Sequence, residues 1–202
     1  MSSHTTTFFD LIRHGEPAGG PMFRGSQDDP LSDTGWQQVN AAITEEDRWD
    51  LVVTSPLLRC SAFARQLARQ RQLPLYEEPQ LQEIGFGDWE GRTSADIMAH
   101  TPDALTGFWS DPVNHPPPGG EAIAAFSKRV ADAWRHWQKE AAGKRVLMVC
   151  HGGVIRMILA EVMGIPLHRS FAAIAVPYAC RSRIRVDESE HGVLSCLQSH
   201  GK

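Results

Sequence analysis

The chain predicts an α/β layered fold, on three observations. Strand-like and helix-like signals alternate along its 202 residues. The run Val146-Leu147-Met148-Val149-Cys150 is apolar without alternation, as expected of a strand covered on both sheet faces. Two such runs, Phe8 to Ile12 and Val146 to Cys150, each lead directly into a histidine and glycine: Arg13-His14-Gly15-Glu16 and His151-Gly152-Gly153. In open α/β sheets the carboxyl ends of strands are where ligands bind.

Each element has its own signal. Phe8 to Ile12 is a short buried strand. Ser32 caps a helix on which Trp36, Val39 and Ile43 share one face. Leu51-Val52-Val53 is a second strand. Ser55 and Pro56 start the next helix, with Phe63 and Leu67 inward and Arg65, Arg69 and Arg71 outward. Leu73 to Glu83 reads as a short strand plus a connection. Residues 84–120 are turn-rich and end in the stiff loop Pro116-Pro117-Pro118-Gly119-Gly120. The clearest helix follows: Ile123, Phe126, Val130, Trp134 and Trp137 recur at three- and four-residue steps, and Gly143 suits its stop. After the strand at 146–150, Val154 to Met163 is a buried helix ended by Gly164 and Pro166. Ile174 to Val186 and Val193 to Gln198 are the last expected strands.

Composition narrows the function classes. With 42% hydrophobic residues the chain can bury one sizeable core, and residues 1–202 are read as a single domain. A net charge of -4 with dispersed Lys and Arg gives no reason to expect nucleic acid or an anionic membrane as partner. The four cysteines, Cys60, Cys150, Cys180 and Cys196, form no Cys-x-x-Cys and read as reduced, mostly buried thiols. Met1 to Thr7 carries no secretory pattern, and no apolar run approaches the ~18 residues of a membrane span. The expectation is a cytoplasmic protein, monomer or homodimer.

The histidine–arginine pattern points to phosphoryl chemistry. A neutral imidazole can attack phosphorus and leave again, splitting a hydrolysis into two steps, so His14 is the candidate nucleophile. A lone histidine at a strand end is more often a hydrogen-bonded core residue. Adjacent Arg13 and the second His-Gly favour function here. Arg13 and Arg59 are candidate phosphate clamps, because guanidinium matches phosphate bidentately. Arg59 follows Thr54-Ser55-Pro56, and helical side chains lean toward the helix N-terminus, so it should point back to the strand end. Beside a dianionic phosphate His151 is expected as a protonated donor to the phosphoryl oxygens, and the N–H groups of Gly152 and Gly153 could also face the anion. Ester cleavage also needs a proton for the leaving oxygen. On physics alone Glu77, Glu78, Glu83 and Glu90 compete equally for that role.

Together these motifs resemble the histidine phosphatase superfamily, which is similar to cofactor-dependent phosphoglycerate mutase. The carriers are Arg13-His14-Gly15-Glu16, Ser55-Pro56-x-x-Arg59, Glu83 and His151-Gly152, in the family's order from about Phe8 to Val186. The resemblance implies a three-layer α/β/α sandwich with a mostly parallel sheet, and neither metal nor organic cofactor. It implies a phosphoryl group carried on His14, bound by Arg13, Arg59 and His151, with Glu83 as acid and base. Three further strings, Phe23 to Ser32, Leu81 to Gly91 and Pro118-Gly119-Gly120-Glu121, look most like its alpha-ribazole phosphatase branch. That implies a small phosphate ester, alpha-ribazole 5′-phosphate, as substrate. Two departures stand out: Gly20 where many members carry Asn, and Ala122 where serine is common.

Charge is the sequence's means of separating phosphatase from mutase. Between Ile84 and Pro118 there is one arginine, Arg92, against Asp88, Glu90, Asp96, Asp103 and Asp111. Such a cover suits one phosphate on a largely neutral, even aromatic, remainder. Phe86, Trp89, Phe108 and Trp109 could stack on a ring, although at least half should be core. Arg24 and Gly25 are further candidates for substrate contact. The alternatives are a broad-specificity phosphatase, a phosphoglycerate mutase or sugar bisphosphatase, and a phospho-ligand-binding regulator without turnover.

Overall fold

The computed structural model describes residues 4–201. Strands β1 (Thr5–Arg13), β2 (Leu51–Thr54), β3 (Leu75–Glu77), β4 (Arg145–Cys150), β5 (Arg181–Ser189) and β6 (Gly192–Gly201) form one sheet in the order β3-β2-β4-β1-β5-β6. β3, β2, β4 and β1 run parallel; β5 and β6 add antiparallel neighbours at one edge.

Helices cover both faces, because the apolar strands present side chains to each. Phe9, Leu11, Val146 and Met148 join the core under α5 (Ile123–Glu140) and α6 (Gly152–Met163). Ile12, Leu147 and Val149 join the other core, under α1 (Asp33–Ala41) and α2 (Leu58–Arg71). The α5 stripe is buried as its periodicity predicts, and Trp134 meets Phe9 with ring centroids 4.6 Å apart. Full burial of such a side chain contributes about 1.5–3 kcal/mol.

Register sets the site. Arg13 pairs with Cys150, and Val149 pairs with both Ile12 and Thr54, so three strands end at one level. The ladder runs one residue further: His14 N donates to Cys150 O and Ser55 N to Val149 O, both at 3.0 Å.

Several local expectations need correction. The second helix starts at Leu58, not at Ser55-Pro56, and has no side-chain cap, because its N-cap residue is Leu57; the Ser55 hydroxyl meets His151 instead. Strand β5 starts at Arg181; residues 174–180 are not strand, and Ala179 takes a left-handed φ of 55° there. The segment 84–120 holds two helices, α3 (Ser94–His100) and α4 (Pro102–Ser110). Both carried readable signals: a Thr93–Asp96 capping box and Pro102 in the first turn. β1 extends back to Thr5 because polar Thr5 and Thr6 pair with β5. α6 begins two residues before Val154, at Gly152. α1 ends before Ile43, and α5 ends at Glu140, before Gly143. Ser32 does cap α1, accepting from Gly35 N at 3.0 Å. A short α7 (Ser170–Ala173) completes the fold, and no described helix is long and apolar enough to cross a membrane.

Candidate active site

The ends of β1, β4 and β2 bring His14, His151 and Ser55 together. Glycines make the approach possible. A Cβ on Gly15 would lie 2.1 Å from Gly35 O, and one on Gly35 would lie 2.1 Å from Glu16 O. The loop after β1 therefore packs backbone to backbone against α1, which fixes the turn that aims His14.

His14 is 5% exposed, and its Nδ1 lies 2.7 Å from Gly15 O. A carbonyl can only accept, so Nδ1 carries the hydrogen and Nε2 keeps its lone pair. Burial, reinforced by the charges of Arg13, Arg59 and Arg24, holds the imidazole pKa well below 6.5. The ring is neutral at pH 7, the form a nucleophile needs.

His151 is fully buried, 5.2 Å from His14 between ring centroids. Its Nδ1 accepts from Arg59 Nε at 3.3 Å, so its Nε2 carries the hydrogen toward Ser55 Oγ at 2.8 Å. Burial, then the charge of Arg59, push its pKa well below 6.5. Without an anion the ring is therefore neutral, chiefly through burial and then through the charges beside it. Donation from Nδ1 to a phosphoryl oxygen requires a proton that only an incoming anion favours. Cys60 Sγ lies 3.6 Å from this ring, but burial drives its thiol pKa upward, which leaves it inert.

Both candidate clamps are held by backbone carbonyls. Arg59 is 1% exposed and donates to Gln27 O at 2.6 Å and Gly25 O at 3.0 Å. Arg13 donates to Val176 O at 2.6 Å and lies 4.2 Å over the Tyr178 ring, while its buried Nε has no partner among the described residues. Burial lowers its pKa below the ordinary guanidinium value, with a further push from Arg59. Neither arginine forms an ion pair with a carboxylate among the described residues.

Glu83 faces the same space. Its carboxylate accepts from Ile84 N at 3.0 Å and from Gly153 N at 3.1 Å. The N-terminal amide of α6 at Gly153 therefore meets Glu83, not the incoming anion the sequence suggested. A Cβ on Gly153 would lie 2.3 Å from Glu83 Oε1, so this contact needs glycine. Arg129, which the sequence reading missed, braces the segment from α5. It donates to the carbonyls of Gln80, Gln82 and Glu83 and pairs with Glu121 at 2.8 Å. Glu121 in turn accepts from Gly85 N at 3.3 Å. The Pro118-Gly119-Gly120-Glu121 string thus steadies Glu83 from behind.

The remaining candidates split. Arg24 lines the pocket, but its guanidinium is spent on Asp29 at 2.8 Å and Ala18 O at 2.6 Å. Gly25 does not line it: its carbonyl holds Arg59, and a Cβ would lie 2.0 Å from Glu90 Oε1. Glu90 accepts from Ser26 N and Phe86 N, so it is a pin between two loops. Gly152 lines the pocket beside Arg13. Gly20 has a φ of 82° and open space around it; Pro17, Pro21 and Met22 line the site from that loop.

The resulting pocket holds about 240 Å³. Phe86 and Trp109 reach it, whereas Trp89 and Phe108 are core. Phe23, Phe171, Tyr178 and Arg156 also line it; the sequence marked Phe23 only as part of a family string and gave the other three no role in the site. All five carboxylates of the 84–118 segment are absent from the lining. Their charge therefore does not set that of the pocket, which carries four arginines and one glutamate.

The family model for the histidine phosphatase superfamily (branch 1) matches residues 9–198. The chain belongs to that superfamily. It is 31% identical to the adenosylcobalamin/alpha-ribazole phosphatase of Escherichia coli (strain K12), over 88% of this chain and 89% of that protein. It is 29% identical to a glucosyl-3-phosphoglycerate phosphatase of Mycolicibacterium vanbaalenii, over 78% and 74%. Among solved structures, Bacillus stearothermophilus YhfR superposes with a TM-score of 0.85 at 28% identity, covering 95% of each chain. The superfamily's phosphoglycerate mutase-like α/β architecture is the one described above.

Proposed function

We propose that this histidine phosphatase hydrolyses a small phosphate monoester through a phosphohistidine on His14. The observation that carries this reading is the Nδ1–H bond from His14 to Gly15 O, which leaves the Nε2 lone pair free beside Arg13 and Arg59. In the first step Nε2 bonds to phosphorus. The ester oxygen departs with the P–O electron pair and takes a proton from Glu83. In the second, Glu83 takes a proton from water as the water oxygen bonds to phosphorus; the P–N pair returns to Nε2 and phosphate leaves. Arg13 and Arg59, which line the pocket, hold the equatorial oxygens, and His151, buried behind the lining, joins them once the anion favours its proton.

The substrate that fits the sequence strings and the Escherichia coli relative is alpha-ribazole 5′-phosphate. The aromatic wall of Phe23, Phe86, Trp109, Phe171 and Tyr178 offers faces for its ring. In a phosphate-release assay in EDTA, the protein should hydrolyse this ester and an activated aryl phosphate, and His14→Ala should not. An unchanged rate in His14→Ala would sink the reading. Fast 2-to-3 phosphate exchange on phosphoglycerate with little hydrolysis would replace it with a mutase.

A further inference from the structure

Arg13 takes its place from a stretch that is neither helix nor strand. Its Nη1 donates to Val176 O at 2.6 Å, and its guanidinium lies 4.2 Å over the Tyr178 ring. Both partners belong to residues 174–180, which connect α7 to β5. Pro177 has no N–H to offer, and Ala179 sits at a left-handed φ of 55°. The stretch has no ladder of its own, so its carbonyls need partners from elsewhere. At its far end, Ala179 N donates to His14 O at 3.2 Å and Cys180 O accepts from Arg13 N at 3.0 Å. At its near end the partners are side chains. Three consecutive carbonyls, Ile174, Ala175 and Val176, accept from Arg156 Nε at 2.9 Å, His200 Nε2 at 2.7 Å and Arg13 Nη1 at 2.6 Å.

Of those three donors, His200 stands outside the pocket. It is an exposed residue of β6 and is absent from the pocket lining. A carbonyl can only accept, so Nε2 of His200 carries the hydrogen. Its Nδ1 therefore keeps the lone pair and accepts from Ser182 Oγ at 2.8 Å. His200 and Ser182 are register partners across β6 and β5, and Ser182 is fully buried. The Ser182 hydroxyl thus selects the ring tautomer that donates to Ala175 O. The imidazole ties the sheet to the residue directly before the one that clamps Arg13.

We infer that His200 is a positioning residue for the phosphoryl site. It holds Ala175, and through that residue it keeps Val176 O and the Tyr178 ring where Arg13 meets the anion. The inference rests on the phosphomonoesterase reading, in its assignment of Arg13 to the phosphoryl group, and adds a support from outside the pocket. The Arg13 side chain has little else to hold it, since its Nε has no partner among the described residues. Without His200 the Val176 carbonyl is free to shift, and the guanidinium shifts with it. Misplacing a positioned group by ~1 Å can cost on the order of a hundredfold in rate.

Two amide replacements separate positioning from bulk. His200→Gln puts an amide near the Nε2 position and can still donate to Ala175 O. His200→Asn puts its amide near Nδ1, where it meets Ser182 and falls short of Ala175. His200→Ala should weaken inorganic phosphate binding, measured by calorimetry, and lower kcat/KM for an aryl phosphate, each by about tenfold. Its melting temperature should change little, as expected of an exposed side chain. His200→Gln should restore most of both losses, and His200→Asn should not. In an Arg13→Gln background, His200→Ala should change phosphate affinity little, because the support acts through Arg13. Should His200→Ala not fold, the Gln and Asn variants decide. Unchanged phosphate affinity in His200→Ala overturns the inference. So does equal behaviour of the Gln and Asn variants, or an undiminished effect in the Arg13→Gln background. Phosphate binding needs no turnover, so the two readings fail separately. A protein that hydrolyses no ester, yet loses phosphate affinity on His200→Ala and regains it with Gln, removes the phosphomonoesterase reading and keeps this one.

Discussion

Two arginine clusters share strand β1 and its neighbours, and they are partnered in opposite ways. At the strand end, Arg13, Arg59 and Arg156 are held by backbone carbonyls and pair with no carboxylate among the described residues. Three residues earlier, buried Asp10 receives Arg181 Nη2 at 2.8 Å, Arg183 Nε at 2.8 Å and Trp49 Nε1 at 2.7 Å. Arg181 also pairs with Asp47 at 2.7 Å. One cluster is internally neutralised and ties β5 to β1. The other keeps its positive charge available, which costs stability and creates affinity for an anion. Carbonyl clamps fix a guanidinium in place without cancelling its charge.

The largest contrast comes from removing the centre of each cluster. His14→Ala should cut turnover by roughly a thousandfold or more while leaving the fold intact, as steady-state kinetics and a thermal melt would record. Asp10→Ala should do the reverse. It strands Arg183, leaves Arg181 with Asp47 alone, and should cost about 3 kcal/mol of folding stability, read from denaturant titration, with little loss of activity per folded molecule.

Glu83→Gln is next in size. It should slow poor leaving groups by roughly a hundredfold and activated aryl phosphates far less. Equal losses on both would remove Glu83 from the proton-donor role. Gly153→Ala should shift the same ratio in the same direction, since its Cβ would displace the Glu83 carboxyl.

Acid should separate the clusters by pH window. His14 and His151 have folded pKa values well below 6.5, so the unfolded chain takes up their protons first. Their contribution is intact above 6.5 and is lost as pH falls from there through the folded values. The pKa of Asp10 is lowered from 3.8: burial raises it, but bonds from Arg183, Arg181 and Trp49 outweigh that. Its contribution holds down to the ordinary carboxylate range and is lost only below it. The stability gap between wild type and Asp10→Asn should therefore stay flat from pH 7 to about 5 and shrink below 4. For the same reason the acid limb of kcat/KM due to His14 should fall well below pH 6.5.

The smallest effect should be Trp109→Ala. The ring is 38% exposed at the pocket rim, so its loss should raise KM for an aromatic ester severalfold and leave kcat unchanged.

The legible parts of this molecule were those fixed by local chemistry. Strand β4 and helix α5 followed from unbroken or periodic apolar runs, Arg13, His14 and His151 from their place at strand ends, and Arg59 from its place in the helix just after Thr54-Ser55-Pro56. The three strand ends meet because of register, a non-local property that the sequence suggests only through its motifs. Glu83 needed family resemblance, since four glutamates were equivalent until Gly153 and Arg129 selected one by contact. Arg156 and Tyr178 were invisible for a similar reason. One sits inside an apolar helix, the other in a stretch that reads as strand until Pro177 and Ala179 bend it. The acidic residues of the 84–118 cover favoured a phosphatase, which the family bears out, but none of them lines the pocket, so their charge does not report the pocket's own.

The central claim is covalent catalysis at His14, and trapping the intermediate tests it most directly. Rapid acid-free quenching with a labelled aryl phosphate, followed by peptide mapping, should recover an alkali-stable, acid-labile phosphoryl group on the His14 peptide. None should appear in His14→Ala. Label on another residue, or full turnover with His14 never modified, would contradict the account.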